Sequence, residues 1–234
     1  MPKYAIGIVG QMRSFYQKNV YENISAAIDP IRENADVFFC FGEHGDVDYI
    51  SDNILTDTFN PISTRYYSSK RCEAGNKHGQ DMGLWMARGW LTLYHQILER
   101  EEKTKSQYEL IIKLRPDIML GSYFHDNIDI DTEKSEVYVD DYVTSSDVND
   151  CSAIITRSAL KAYLHDFYHD FYSIDTFNDC LHHPEGKLRW TLTDKGVTVG
   201  VASLKEKIIR QYNNETWDEL SPVEITHRPD TGTR

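Results

Sequence analysis

Apolar residues recur along the chain in two rhythms. Short unbroken runs at 3 to 9 (KYAIGIV) and 36 to 42 (DVFFCFG) read as buried strands. Between them, Val20, Ile24, Ala27 and Ile28 lie on one side of a mixed helical pattern over 16 to 28. Strand, turn, helix and strand in close succession open a Rossmann-like layer with a parallel sheet. Met82, Trp85, Met86, Gly89, Trp90, Leu93, Tyr94, Ile97 and Leu98 then recur at steps of three and four, predicting an amphipathic helix over 81 to 102.

A strand at 108 to 114 follows, and SEVYVDD (135 to 141) and CSAIITR (151 to 157) read as further strands bounded by Asp, Ser or Asn. The segment 158 to 172 places Leu160, Leu164, Phe167 and Phe171 on one helical face. Pro184 and Gly196 bracket another helix at 184 to 196, Pro favouring a helix start and Gly its end. VTVGVA (197 to 202) is a late strand. The expectation is an α/β fold: one Rossmann-like domain over residues 1 to 210, its mostly parallel central sheet flanked by helices. Residues 211 to 234 read as a polar tail or the start of a linker to a further domain.

Composition narrows the function. A formal net charge of −12 disfavours nucleic acid and acidic membrane surfaces as partners. A small phosphorylated ligand stays open, because Arg13, Lys70, Arg71, Lys77 and Arg115 sit near segment ends. Cys40, Cys72, Cys151 and Cys180 form no CxxC pair and read as reduced thiols. No window reaches the roughly 18 apolar residues of a membrane span, and the N-terminus is unlike a signal peptide. A soluble, cytoplasmic protein is expected. The first turn is no GxGxxG and GxxxxGK[ST] is absent, which argues against dinucleotide binding and a P-loop kinase.

The chemistry concentrates at YELIIKLRPDIML (108 to 120), where an apolar strand meets Arg115, Pro116 and Asp117. Ligands of parallel α/β sheets bind at the carboxyl ends of strands. Pro116 keeps Arg115 extended, so both charged side chains are expected to project into one cleft. Other readings stay open: Asp117 as a turn or capping residue, Arg13 as a surface arginine, and Asp46, Asp48, Asp129 and Asp131 as solvated loop carboxylates despite their Asp-x-Asp spacing. His165 and His169, one helical turn apart beside Asp166 and Asp170, read as a polar helix face rather than a metal site. His182 and His183 read as loop packing.

YELIIKLRPDIML resembles the strand carrying the Asp-x-Asp motif in GT-A fold nucleotide-sugar glycosyltransferases, with Arg115 in place of the first aspartate and Asp117 matching the second. GQMRSF (10 to 15) resembles the G-x-x-R-x-F turn of a subgroup known from large algal viruses and bacteria. DVNDCSAIITRSAL (147 to 160) resembles the segment lining the donor sugar, and HPEGKLRWTL (183 to 192) the acidic motif on the acceptor side.

The resemblance implies sugar transfer from a nucleotide-diphosphate-sugar donor to a glycan hydroxyl. Gly10, Gln11, Arg13, Arg115 and Asp117 would hold the donor, with Mn2+ or Mg2+ on Asp117 and a third ligand from His227. Glu185 would be the general base, and Asp150 would contact the sugar or serve as the base instead. Arg115 departs from the motif, and its fork of donors suits direct phosphate binding. A sugar nucleotidyltransferase and a binding module without turnover are the alternatives.

Overall fold

The apolar run near the N-terminus forms the middle of a mixed sheet. The computed structural model describes residues 2–12, 14–43, 50–68, 80–121, 124, 128, 130–140, 143–144, 147–173, 184–202, 204 and 207–208. Strand β1 (Tyr4–Gln11) pairs in parallel with β2 (Ala35–Glu43) on one side and β4 (Leu110–Leu114) on the other. β2 pairs in parallel with β3 (Ser63–Ser68). Beyond β4 a single strand runs the opposite way. β7 (Ala153–Thr156) runs antiparallel to β4 and to β6 (Val137–Val139), and β6 is parallel to β8 (Val199–Val201). Among the described residues this makes a seven-stranded sheet, ordered β3-β2-β1-β4-β7-β6-β8. A separate ribbon joins β5 (Ile118–Met119) to β9 (Lys207–Ile208).

Alternation along the strands sends side chains to opposite faces, and helices cover both, as a mostly parallel sheet requires. Ile6 and Ile8 of β1, with Ile112 and Leu114 of β4, pack with α1 (Lys18–Ile28) through Val20, Ile24 and Ile28, and with α2 (Asp52–Phe59) through Leu55 and Phe59. Ala5, Val9, Phe38 and Ile111 face the other way. They pack with Ala87, Trp90, Leu93 and Ile97 of α3 (Gln80–Thr104), Phe167 and Phe171 of α4 (Phe167–Ser173), and Leu188 and Leu192 of α5 (Pro184–Asp194). At Gly7 an added Cβ would sit 2.3 Å from a Leu93 methyl carbon, so α3 lies directly on β1.

Several elements differ from the hydropathy reading. The first helix starts at Lys18, and residues 50 to 68, unassigned by that reading, carry α2 and β3. Ser51 caps α2 by accepting the Ile54 N–H at 3.3 Å, and Asn60 ends it in the left-handed region at φ 47°. The 158 to 172 segment begins as a wide π-type winding at Lys161–Asp166 before α4. Its His165 ring is half-buried, against Tyr94 at 5.1 Å and His169 at 4.4 Å, and accompanies Asp166 at 2.8 Å. Cys40 and Cys151 are free thiols; Cys72 and Cys180 lie outside the described residues.

Ion pairs fasten the carboxyl half of α3 to the amino-terminal end of the sheet. Asp36 Oδ2 accepts from Arg100 Nε at 2.8 Å and from the Tyr108 hydroxyl at 2.6 Å. Glu101 accepts from Arg157 Nε at 2.9 Å and Nη2 at 2.9 Å, and from the Tyr108 N–H at 3.1 Å. No helix among the described residues is long and apolar enough to cross a membrane.

Candidate functional site

At the carboxyl ends of β1 and β4 the chain opens a cleft of about 170 Å3. β1 contributes Val9, Gly10 and Gln11, β4 and its extension contribute Lys113, Arg115 and Asp117, and the turn before β7 contributes Asp150. Tyr67 of β3 with Trp85, Met86 and Trp90 of α3 makes an apolar wall, and Pro184 closes the rim.

The floor is built around Pro116. Gly10 has φ +148°, and a Cβ there would lie 3.0 Å from Pro116 Cδ, so the proline packs where Gly10 has no side chain. Arg115 and Asp117 meet across it. The guanidinium donates from Nε to Oδ1 and from Nη2 to Oδ2, each at 2.7 Å, a bidentate pair. Asp117 is 1% exposed, whereas the Arg115 side chain keeps 21% of its surface. Burial works against the Arg115 charge, but the Asp117 carboxylate outweighs it and raises the guanidinium pKa further above its ordinary value.

Lys113 is the residue that sequence reasoning passed over. It is 0% exposed and occupies the α3-facing position of β4. Its Nζ donates to the Asp150 carbonyl and, at 3.1 Å, to the Cys151 carbonyl, and it lies 4.2 Å from the centre of the Trp90 ring. A buried ammonium is costly unless so paired. The bonds also fix the turn that presents Asp150. A signal was present in the sequence: a lone cation inside the otherwise apolar run LIIKL. Cys151 lies beside it, with Sγ 4.0 Å from Arg115 Nη1 and 3.6 Å from Asp150 Oδ1.

Among the residues singled out from sequence, Gly10, Gln11, Arg115, Asp117 and Asp150 therefore converge on one cleft. Glu185 follows Pro184 in the first turn of α5 but is not among the lining residues; its carbonyl accepts the Val148 N–H at 3.3 Å, joining α5 to the segment before Asp150. Arg13, Asp46, Asp48, Asp129, His182, His183 and His227 lie outside the described residues, as do Lys70, Arg71 and Lys77. Asp131 bonds the N–H groups of Glu133 and Lys134 at 3.2 and 3.3 Å, an ordinary turn role.

A larger hollow of about 550 Å3 opens at the opposite end of the sheet, lined by Lys3, Glu109, Ile128, Thr132 and Ser158 among others. Its charged side chains, Lys3 and Glu109, pair with each other at 3.2 Å on the surface. The smaller cleft has the buried, convergent charges that a ligand site needs.

No protein-family model matches the sequence, and no curated protein sequence matches it. Solved structures do match. The galactosyltransferase LgtC in complex with donor and acceptor sugar analogues aligns with a TM-score of 0.52 at 9% identity, over 85% of this chain and 72% of that one. The mannosyltransferase PcManGT from Pyrobaculum calidifontis, in complex with GDP-Man and Mn2+, aligns with a TM-score of 0.52 at 10% identity, over 91% of this chain and 58% of its own length. The fold is that of GT-A-type glycosyltransferases. A glycosyltransferase involved in glycosylation of the major capsid of PBCV-1 also matches, with a TM-score of 0.45 at 12% identity over 87% of this chain and 84% of that one. At such identities the likeness is one of architecture.

The divalent metal that a GT-A resemblance implies can be tested against the residues present. A hard cation needs several carboxylate or carbonyl oxygens turned toward it. Both Asp117 oxygens accept from Arg115, and among the described residues no three Asp, Glu, His or Cys side chains are placed to hold a metal ion together. The described residues therefore do not fit a divalent ion at Asp117.

Proposed function

We propose that the chain transfers a sugar from a nucleoside-diphosphate sugar to a carbohydrate hydroxyl. The observation that carries this reading is the convergence of Lys113, Arg115, Asp117 and Asp150 under an aromatic wall at the carboxyl ends of β1 and β4. Such a site meets the needs of glycosyl transfer. Cations steady the departing diphosphate, carboxylates engage sugar hydroxyls, and apolar rings exclude water.

Gly10, Gln11 and Arg13 flank the nucleotide from the first turn, with Arg13 and Arg115 on the phosphates. Asp117 holds the Arg115 fork in place. In the reaction the bond from the anomeric carbon to the phosphate oxygen breaks, and the nucleoside diphosphate leaves with the electron pair. The acceptor oxygen bonds to that carbon. In an inverting reaction its proton passes to a carboxylate, either Asp150, which lines the cleft, or Glu185, which follows the rim residue Pro184.

A panel of nucleotide sugars, each offered with a glycan acceptor in the presence and absence of Mn2+, tests the reading. Release of nucleoside diphosphate that Asp117→Ala or Glu185→Ala abolishes supports it, and full activity in both variants removes the site assignment. Pyrophosphate release instead marks a nucleotidyltransferase. A second reading, a binding module without turnover, draws on the Arg115–Asp117 lock, which occupies the carboxylate at the motif position; it predicts nucleotide binding and no product.

A further inference from the structure

We propose that the cleft takes the donor diphosphate on Arg115 directly, with no divalent cation between them. This rests on reading the cleft as a nucleotide-sugar site. A bridging metal needs carboxylate oxygens that face it, and each Asp117 oxygen already accepts from Arg115, Oδ1 from Nε and Oδ2 from Nη2 at 2.7 Å, on a residue only 1% exposed. An ion within reach of those oxygens would also lie within a few ångströms of a permanently charged guanidinium, where like-charge repulsion in a partly desolvated site is strong. The Lys113 ammonium lines the same cleft and adds to that repulsion. Asp150 also lines it, but no third ligand joins it and Asp117 among the described residues.

What disfavours a cation suits an anion. Asp117 grips the Nε and Nη2 edge of the guanidinium, while Nη1 has a long contact of 4.0 Å with the Cys151 sulfur. The planar group is thus oriented before any ligand arrives, with 21% of the side chain accessible, and the entropy of ordering it is already lost. A phosphate oxygen on such a fork forms charge-assisted hydrogen bonds. Lys113, buried behind it on Trp90, supplies a second fixed positive charge. The substitution of arginine for the first aspartate of the motif then replaces the metal charge with a covalently attached one.

Isothermal calorimetry with UDP and with GDP, each in EDTA and again in MnCl2, tests this. The nucleotide that binds is expected to bind in EDTA, with an affinity that changes by less than about threefold when Mn2+ replaces EDTA. Arg115→Gln is expected to weaken binding in EDTA by about tenfold or more. That variant leaves Asp117 buried without its partner, so Arg115→Gln combined with Asp117→Asn, checked for folding by circular dichroism, is the companion and should show the same loss. Tightening beyond threefold with Mn2+, or wild-type affinity in the folded double variant, overturns the inference while leaving the donor site standing. If neither nucleotide binds under either condition, the donor-site reading fails with it.

Discussion

Both ends of the sheet bury a carboxylate against a partly exposed arginine, yet the pairs join different things. At the amino-terminal end Asp36 holds Arg100 and Tyr108, and Glu101 holds Arg157, so each contact links elements far apart in the chain. At the carboxyl end Arg115 and Asp117 are two residues apart, and their contact fastens no distant element to another. A local pair adds little to tertiary stability, but it orders a guanidinium on the wall of a cleft. Sequence separation thus sorts buried ion pairs into those that staple a fold and those that prepare a surface.

The largest expected effect breaks the staple. Asp36→Ala leaves the Arg100 guanidinium and the Tyr108 hydroxyl without their acceptor and should cost about 3 kcal/mol of stability, read as a lower urea midpoint. Its folded fraction should keep wild-type nucleotide affinity; weakened binding would mean that the two ends are coupled. Arg115→Gln should instead lower the rate of nucleoside-diphosphate release by about 100-fold, near 2.7 kcal/mol of transition-state stabilisation. Adding Asp117→Asn should recover the unfolding midpoint and not the rate, which separates orientation from stability.

Gly89→Ala comes next. A Cβ there would lie 2.8 Å from the Tyr67 ring, so the ring must shift where it lines the cleft, and nucleotide binding should weaken by about tenfold, or 1.4 kcal/mol. The smallest effect concerns a buried cation on α5. Lys187 is 4% exposed, its Nζ lies 3.6 Å from the centre of the Phe171 ring, and burial lowers its pKa from 10.5 to about 8. At pH 7 it is charged in both the folded and unfolded states, and the folded chain bears the desolvation cost. As pH rises from about 8 to 10.5 the folded state gives up the proton first and that cost fades, so wild-type stability gains with pH. Lys187→Met removes this titration, so its stability relative to wild type should fall across this window in thermal melts. A constant difference would show that packing, not charge, sets it.

Legibility followed the strength of local pattern. Trp85, Trp90, Leu93 and Ile97 repeat over many turns, and α3 spans Gln80–Thr104 against an expected 81 to 102. Pro184 and Gly196, at φ +70°, bracket α5 as read. α2 escaped because a helix of eight residues buries only Leu55 and Phe59, and β3, reading STRYYS at the sheet edge, has Tyr67 as its one buried side chain among those described. The reversal of β7 escaped because alternation looks the same from either direction. At the site, Arg115, Asp117 and Asp150 stood out by position beside strands, whereas Lys113 was absorbed into an apolar run.

By itself the sequence determined which segments form the layers and which carry charge to the strand ends, because hydrophobic periodicity and proline or glycine punctuation act over a few neighbouring residues. Only the tertiary structure decided what those charges do there. Asp117 faces the Arg115 fork, and Lys113 reaches the Asp150 and Cys151 carbonyls across strands while resting on a tryptophan from α3. Partners as far apart in the chain as Lys113 and Cys151 are chosen by packing between elements, and no local pattern encodes that choice.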